Sequence, residues 1–276
     1  HEFLSRRLDH TRFPYLFVDA TYLDVRAGRR VVSRALVVAT GVSAQGRREI
    51  PDMALGDAET TDFWTSFLRS LRERGLKVPS PHDPEGVVLV TSDAHAGIRA
   101  AVRAILPGAS WQRCRVHFAR TITSKLGSAQ SKPAGALVST IFAQTTPEAV
   151  AAQYQHVIDT LRDAFPEIAQ MPADAEPDPT AFATTRRPGE HWTKIWSNNP
   201  IERLNREIKR RADVVQVFPD RQSVTRLIGA VLLEQHEEWQ YGERRYLSET
   251  SLRHLTHTLH HDQHALPDHD TITLNP

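Results

Sequence analysis

The sequence predicts a mixed α/β fold with an all-helical stretch inserted into it. Three observations predict this. Short β-branched and aromatic runs, bounded by turn residues, crowd the first 117 positions. Amphipathic helical spacing alternates with the later of those runs. From about residue 118 to 196 the β signal disappears and only helical patterns remain.

The elements follow in order. Residues 1–13 form a charged lead-in. Strands are expected over 15–25, 31–43 and 47–52, with turns at Gly28 and at Gln45-Gly46, which makes an antiparallel meander. Residues 61–75 place Phe63, Trp64, Phe67, Leu68 and Leu71 at helical spacing. A proline-rich loop at 79–84 precedes a strand over 87–92, a helix over 94–106 and a fifth strand over 111–116. Helical patterns cover 135–143 and 147–165, and 166–188 reads as loop or short helices. A helix then starts at Asn199, and a long one covers 221–246. Along the latter, Leu227, Val231 and Leu232 are assigned to the core, and Glu234, Glu237 and Glu238 to solvent. The expected division is a first core segment (1–117), a helical insertion (118–196), a second core segment (197–248) and a polar tail (249–276).

Composition sets bounds. The 276 residues, 40% of them hydrophobic, suffice for a real core. No apolar run reaches membrane-span length and no signal peptide is visible. The single cysteine, Cys114, excludes an intramolecular disulfide and fits a reducing cytoplasm. Net charge is only +1, but the basic residues are clustered, and local fields matter more than the sum. His254, His257, His260, His261, His264 and His269 are read as a solvated tail rather than a metal-binding tract.

The richest stretch is 197–211 (SNNPIERLNREIKRR). Asn199 suits a helix cap and Pro200 a first helical position. Glu202, Arg206 and Lys209 share one helix face, and Arg203, Glu207 and Arg210 share the next. A carboxylate set among cations is what holding a divalent metal against a phosphodiester requires. The competing reading is a capping box between Asn199 and Glu202. Upstream, Asp19 and Asp93 each follow a β-rich run directly. Neighbouring strands would bring them to one metal site; alternatively, Asp19 sits in a turn and Asp93 caps the following helix.

Four segments carry a resemblance: 13–22 (FPYLFVDATY), Ser92-Asp93-Ala94-His95, 111–117 (WQRCRVH) and 192–203 (WTKIWSNNPIER). Over about residues 12–248 the chain resembles the catalytic part of a Mutator-superfamily transposase, of the kind encoded by bacterial insertion sequences. The resemblance implies a ribonuclease-H-like mixed sheet with flanking helices, and the predicted element order is the one such a core requires. It implies a DDE metal site at Asp19, Asp93 and Glu202, with Glu207 as the fallback third acid. It implies two Mg²⁺ ions, with Mn²⁺ as a substitute, and hydrolysis at transposon ends followed by transfer to target DNA. The implied partners are terminal inverted repeats, target DNA and further copies of the chain on DNA, in a bacterial, nucleoid-associated setting.

Arg203, Arg206, Lys209 and Arg210 are the expected phosphate contacts. Trp192 and Trp196 are expected either in the core or, on a sharper reading, stacked on an unpaired base. Cys114 and His117 match a Cys-x-x-His signature of the family and are expected as a buried thiol and a hydrogen-bonded ring. The chain begins with His1, as a processed or cut chain would, and nothing in it resembles the family's usual N-terminal DNA-binding region. Two rival functions share these residues: a structure-specific nuclease on the same fold, and a transposase-derived DNA-binding protein without catalysis.

Overall fold

The computed structural model describes residues 2–80, 82–166, 168, 178–184 and 187–264. Its centre is a five-stranded mixed sheet in the order β3-β2-β1-β4-β5. The strands are β1 (Tyr15–Ala27), β2 (Arg30–Val42), β3 (Arg48–Gly56), β4 (Leu89–Ser92) and β5 (Ser110–Arg113). β1, β2 and β3 pair antiparallel, while β4 runs parallel to both β1 and β5.

Side-chain alternation on β1 sorts the packing, because successive residues point to opposite faces. Leu16 and Val18 face one side. There they meet Trp64, Phe67, Leu68 and Leu71 of α2 (Thr61–Glu73) and Ile98, Ala101 and Val102 of α3 (Ala96–Ile105). The opposite face is shared along its length. Leu23 and Val25 meet Ile201, Leu204 and Ile208 of α8 (Asn199–Val215) and Ile228 and Leu232 of α9 (Arg221–Tyr241). Tyr15 and Phe17, nearer the start of β1, are covered by the helical segment. Its helices are α4 (Arg115–Thr123), α5 (Ser128–Ser139), α6 (Pro147–Ala164) and α7 (Gly189–Ile195). A short α1 (Glu2–Ser5) precedes the sheet, and α10 (Glu249–His264) follows α9.

Several expectations need correction. β3 continues to Gly56, past Pro51, because it is an edge strand with a neighbour on one side only. α3 starts at Ala96 rather than 94, with His95 as its cap. The fifth strand stops at Arg113, and Val116 is already helical. α5 starts at Ser128 and carries Pro133 inside it. α9 ends at Tyr241, before Gly242. Most of 166–188 lies outside the described residues; within it, Phe182 is fully buried.

The helical segment is not a free-standing insertion. Its core is continuous with Tyr15, Phe17, Val88 and Leu89 of the sheet region. The tail expectation fails for its first part. Leu252 and Leu255 are buried and Leu259 packs against them, an apolar stripe that seats α10 on the core. His260 Nε2 lies 3.0 Å from Glu85 Oε1. His269 falls outside the described residues.

The β2–β3 turn ties this helix region to the sheet. Gly46 has φ +78°, and Tyr246 and Leu247 donate backbone N–H groups to its carbonyl at 2.7 and 3.2 Å. A Cβ on Gly46 would stand 2.0 Å from the Leu247 carbonyl oxygen. Gly46→Ala should therefore destabilise the fold by about 1–3 kcal/mol or more, through left-handed strain plus displacement of residues 246–247. Gly28→Ala, at φ +62° in open space, should cost less. Denaturant melts of the two variants side by side check the ranking.

Candidate active site

The pairing of β1 with β4 sets the site. Its register is Tyr15 with Leu89, Leu16 with Val90 and Phe17 with Thr91. Two residues further along, that register brings Asp19 abreast of Asp93. β4 ends at Ser92, while β1 runs on to Ala27 with β2 on its other edge. Asp19 therefore stands within a strand, paired with Val38, not in a turn. Nor does Asp93 cap α3, since His95 accepts the Gly97 N–H through Nδ1 at 3.2 Å.

The face of β1 that carries Asp19 also carries Tyr15, Phe17, Leu23 and Val25, and α8 crosses it. Entry into α8 is fastened at four points. Thr91 Oγ1 donates to the Ile195 carbonyl at 2.7 Å, and Arg115 N–H to the Trp196 carbonyl at 2.9 Å. Asn198 donates its backbone N–H to Cys114 Sγ at 3.3 Å and its side-chain amide to the Val18 carbonyl at 3.2 Å. Asn198, not Asn199, is the N-cap residue, and no side-chain cap bond forms there. The capping-box reading of Glu202 therefore fails. Glu202 Oε1 is instead buried without a hydrogen-bond partner.

Asp19, Asp93 and Glu202 line one open cleft of about 320 Å³, together with Thr21, His117, Arg120, Asn205, Arg206 and Lys209. Asp19 is 8% exposed. Burial, followed by the charge of Asp93, pushes its carboxyl up to about 7. Donation from Ala20 N–H and the Asn205 amide opposes that rise, and Glu202 adds to it. Among the described residues, no three His, Cys, Asp or Glu side chains are gathered tightly enough to hold a metal ion as they stand. The chemistry of the donors nevertheless suits a hard divalent cation: three carboxylates, one with an orphaned oxygen and one whose charge is disfavoured by burial and by like charge beside it.

Glu207 is elsewhere. It pairs with Arg210 at 2.6 Å and Arg211 at 2.8 Å, and the Arg210 bond leads the causes that hold it down at about 2. It lines a second groove between α8 and α9, with Arg203, Arg206, Arg210, Arg211 and Glu234. The four expected phosphate contacts are thus divided. Arg206 and Lys209 reach the carboxylate cleft; Arg203 and Arg210 belong to the second groove, because they lie on the neighbouring face of the helix.

Trp192 is a correction to the stacking reading. It is 5% exposed, donates its indole N–H to the Arg187 carbonyl at 3.2 Å and meets Phe182 edge-on. Trp196 is half-buried against Phe142 and Phe182, and the Arg115 guanidinium lies 4.6 Å over its ring. Both rings serve the packing of the helical segment. Cys114 is fully buried, and burial raises its thiol pKa. His117 is half-buried in the cleft with Nδ1 unpartnered, so the expected hydrogen bond to that nitrogen is missing.

Sequence reasoning missed Asn205, Arg120 and Glu59. Asn205 and Arg120 line the cleft. Glu59, just before α2, has its carboxyl pKa raised by burial and feels the charge of Asp93. Asn205 had one available signal: it lies three residues after Glu202, on the same side of the helix.

The chain is similar to known transposases. It is 48% identical over 249 residues to the transposase for insertion sequence element IS1081 of Mycobacterium tuberculosis, covering 89% of this chain and 56% of that protein. It is 35% identical to the transposase for IS256 in transposon Tn4001 of Staphylococcus aureus, covering 90% and 61%. It is 33% identical to the transposase for ISRM5 of Rhizobium meliloti, covering 91% and 60%. The chain thus spans little more than half the length of these relatives. The model of the family "Transposase, Mutator family" matches residues 1–242, and the chain accordingly belongs to the Mutator family of transposases.

Proposed function

We propose that this chain is the catalytic region of an insertion-sequence transposase, cutting DNA at transposon ends and joining the freed 3′ end to target DNA. The observation that carries the reading is the meeting of Asp19, Asp93 and Glu202 on one cleft that also holds Arg206 and Lys209. The strand order and directions support a ribonuclease-H-like fold as its frame. Asp19, Asp93 and Glu202 would hold Mg²⁺ ions, or Mn²⁺ in their place. Bound there, such ions supply activation of an attacking water or 3′-hydroxyl and stabilisation of the departing 3′ oxygen.

The chain's own residues do the rest. The Asn198 and Cys114 contacts fix the start of α8 against β1, which orients Glu202 toward the aspartates. Arg206, Lys209 and Arg120 place positive charge beside the carboxylates, where a scissile phosphate would lie. Such contacts supply affinity without reading sequence. Arg203 and Arg210 offer phosphate contacts on the adjoining groove. Two transposon ends must be processed together, so a dimer or larger assembly on DNA is expected. The outward Glu234, Glu237 and Glu238 face of α9 and the helical segment are the candidate contact surfaces.

Asp19→Asn and Asp93→Asn should each abolish Mg²⁺-dependent cleavage and joining of terminal-repeat DNA while leaving DNA binding intact. Cleavage without joining in the unaltered chain would favour a nuclease; binding without either would favour an inactive derivative. Arg206→Ala and Lys209→Ala should weaken DNA binding and flatten its dependence on salt by about one counterion each.

The pH dependence follows from Asp19. Its carboxyl moves from an ordinary 3.8 up to about 7 in the folded protein. A raised carboxyl favours the fold while protonated, so this contribution is complete below about 3.8 and lost as pH climbs through 7. In chelator, the Asp19 contribution should make Tm fall between roughly pH 4 and pH 7 and flatten above that. The fall should be shallower in Asp19→Asn, and Mg²⁺ should reverse it only where Asp19 is present.

A further inference from the structure

Asn205 is as deeply buried in the cleft as Asp19, at 8% exposed. Its amide nitrogen donates to Asp19 Oδ2 at 2.7 Å. Ala20 N–H donates to Asp19 Oδ1 at 3.1 Å, so the two bonds hold both oxygens of that carboxylate. Because the nitrogen end of a planar amide is committed to Asp19, the oxygen end points the other way. That oxygen, Oδ1, is buried and has no hydrogen-bond partner. A buried amide oxygen left unpaired forfeits its hydration without recompense, and packing alone gives no reason to keep it. Leu or Ala would serve a purely apolar contact between α8 and β1 better.

The position of Asn205 on α8 explains how both ends find work. It follows Glu202 by three residues, so the two side chains leave the helix on the same side. Glu202 Oε1 is likewise buried and unpaired in the same cleft. Two orphaned oxygens from one turn of α8 therefore accompany a carboxylate that Asn205 itself immobilises. A neutral amide oxygen is a good ligand for a hard divalent cation, and it adds coordination without adding negative charge to three crowded carboxylates.

We propose that Asn205 is a two-ended positioning residue: its amide nitrogen fixes the rotamer of Asp19, and its amide oxygen faces the bound cation as a neutral ligand, directly or through a cation-bound water. This rests on the metal-dependent reading given above. It extends that reading to a residue outside the acidic triad, and it makes the α8–β1 junction part of the cation site as well as of the fold.

Mn²⁺ titration of the full chain, followed by calorimetry and by the Mn²⁺-induced shift in Tm, tests the proposal without reference to activity. Asn205→Ala should lower Mn²⁺ affinity by about 10–100-fold, the range expected for loss of a supporting partner at a metal site. Unchanged Mn²⁺ affinity in a folded Asn205→Ala, with Tm lowered equally in chelator and in Mn²⁺, would overturn the proposal and leave Asn205 a packing residue. Asn205→Asp is close to isosteric and covers the case in which the Ala variant does not fold. It sets a second carboxylate against Asp19, so its Tm in chelator should fall and its Mn²⁺-induced rise should exceed that of the unaltered chain. An equal rise would also overturn the proposal. Absence of any Mn²⁺ binding by the unaltered chain would remove the metal-dependent reading itself together with this extension. Binding that Asp19→Asn abolishes but Asn205→Ala spares would remove only the extension.

Discussion

Everything at the candidate site depends on the short parallel contact between β1 and β4. Only three residue pairs define its register, from Tyr15 with Leu89 to Phe17 with Thr91. A slip of one residue would turn Asp93 to the opposite face from Asp19, because side-chain direction alternates along a strand. The hydrophobic pattern prevents that slip. Leu16, Val18 and Val90 are committed to the α2–α3 side, while Tyr15, Phe17 and Leu89 are committed to the helical segment. Both faces of the sheet are covered, so the register is held from both sides, and the aspartates follow from it.

The third acid depends on a different constraint, the fastening of α8. The polar contacts at its entry come from β1, β4 and the start of α4. Along the helix, Ile201, Leu204, Ile208 and Ala212 form the buried stripe. With that stripe fixed, the remaining positions divide into two charged faces. One looks into the carboxylate cleft with Glu202, Arg206 and Lys209. The other closes on itself through the Glu207, Arg210 and Arg211 ion pairs. Two glutamates five residues apart thus have opposite electrostatic fates: one is paired with arginines, the other is left with an unpartnered oxygen.

Much of this was legible in the sequence, for identifiable reasons. The β-branched runs before Asp19 and Asp93 are long enough to announce strands, and the helical spacing of Glu202, Arg206 and Lys209 correctly places them on one cleft. The same spacing separates Arg203 and Arg210 from them, although residue type alone groups all four cations together. Other features were hidden. The strand partner of β1 and its register are long-range facts that no local pattern encodes. Trp192 carries the same aromatic signal whether it packs or binds, and only Phe182 and the Arg187 carbonyl decide which. The stripe of Leu252, Leu255 and Leu259 was masked by the surrounding histidines, so α10 read as a solvated tail. Asn205 carries no local signal beyond its spacing from Glu202, because its bond to Asp19 spans most of the chain.

The placement of the helical segment has a consequence for how the molecule comes into being. Asp19 and Asp93 are synthesised before that segment, and Glu202 after it. Domains tend to begin folding from the N-terminal side as the chain emerges from the ribosome. The five strands are complete by Arg113, but Leu23, Val25 and Val38 await the underside of α8. The sheet must therefore wait, partly bare, through the making of the intervening helices. Contacts so distant along the chain also slow the search for the native state. A chain made only as far as the helical segment carries Asp19 and Asp93 without Glu202. The carboxylate cleft is therefore completed last, after the sheet that frames it.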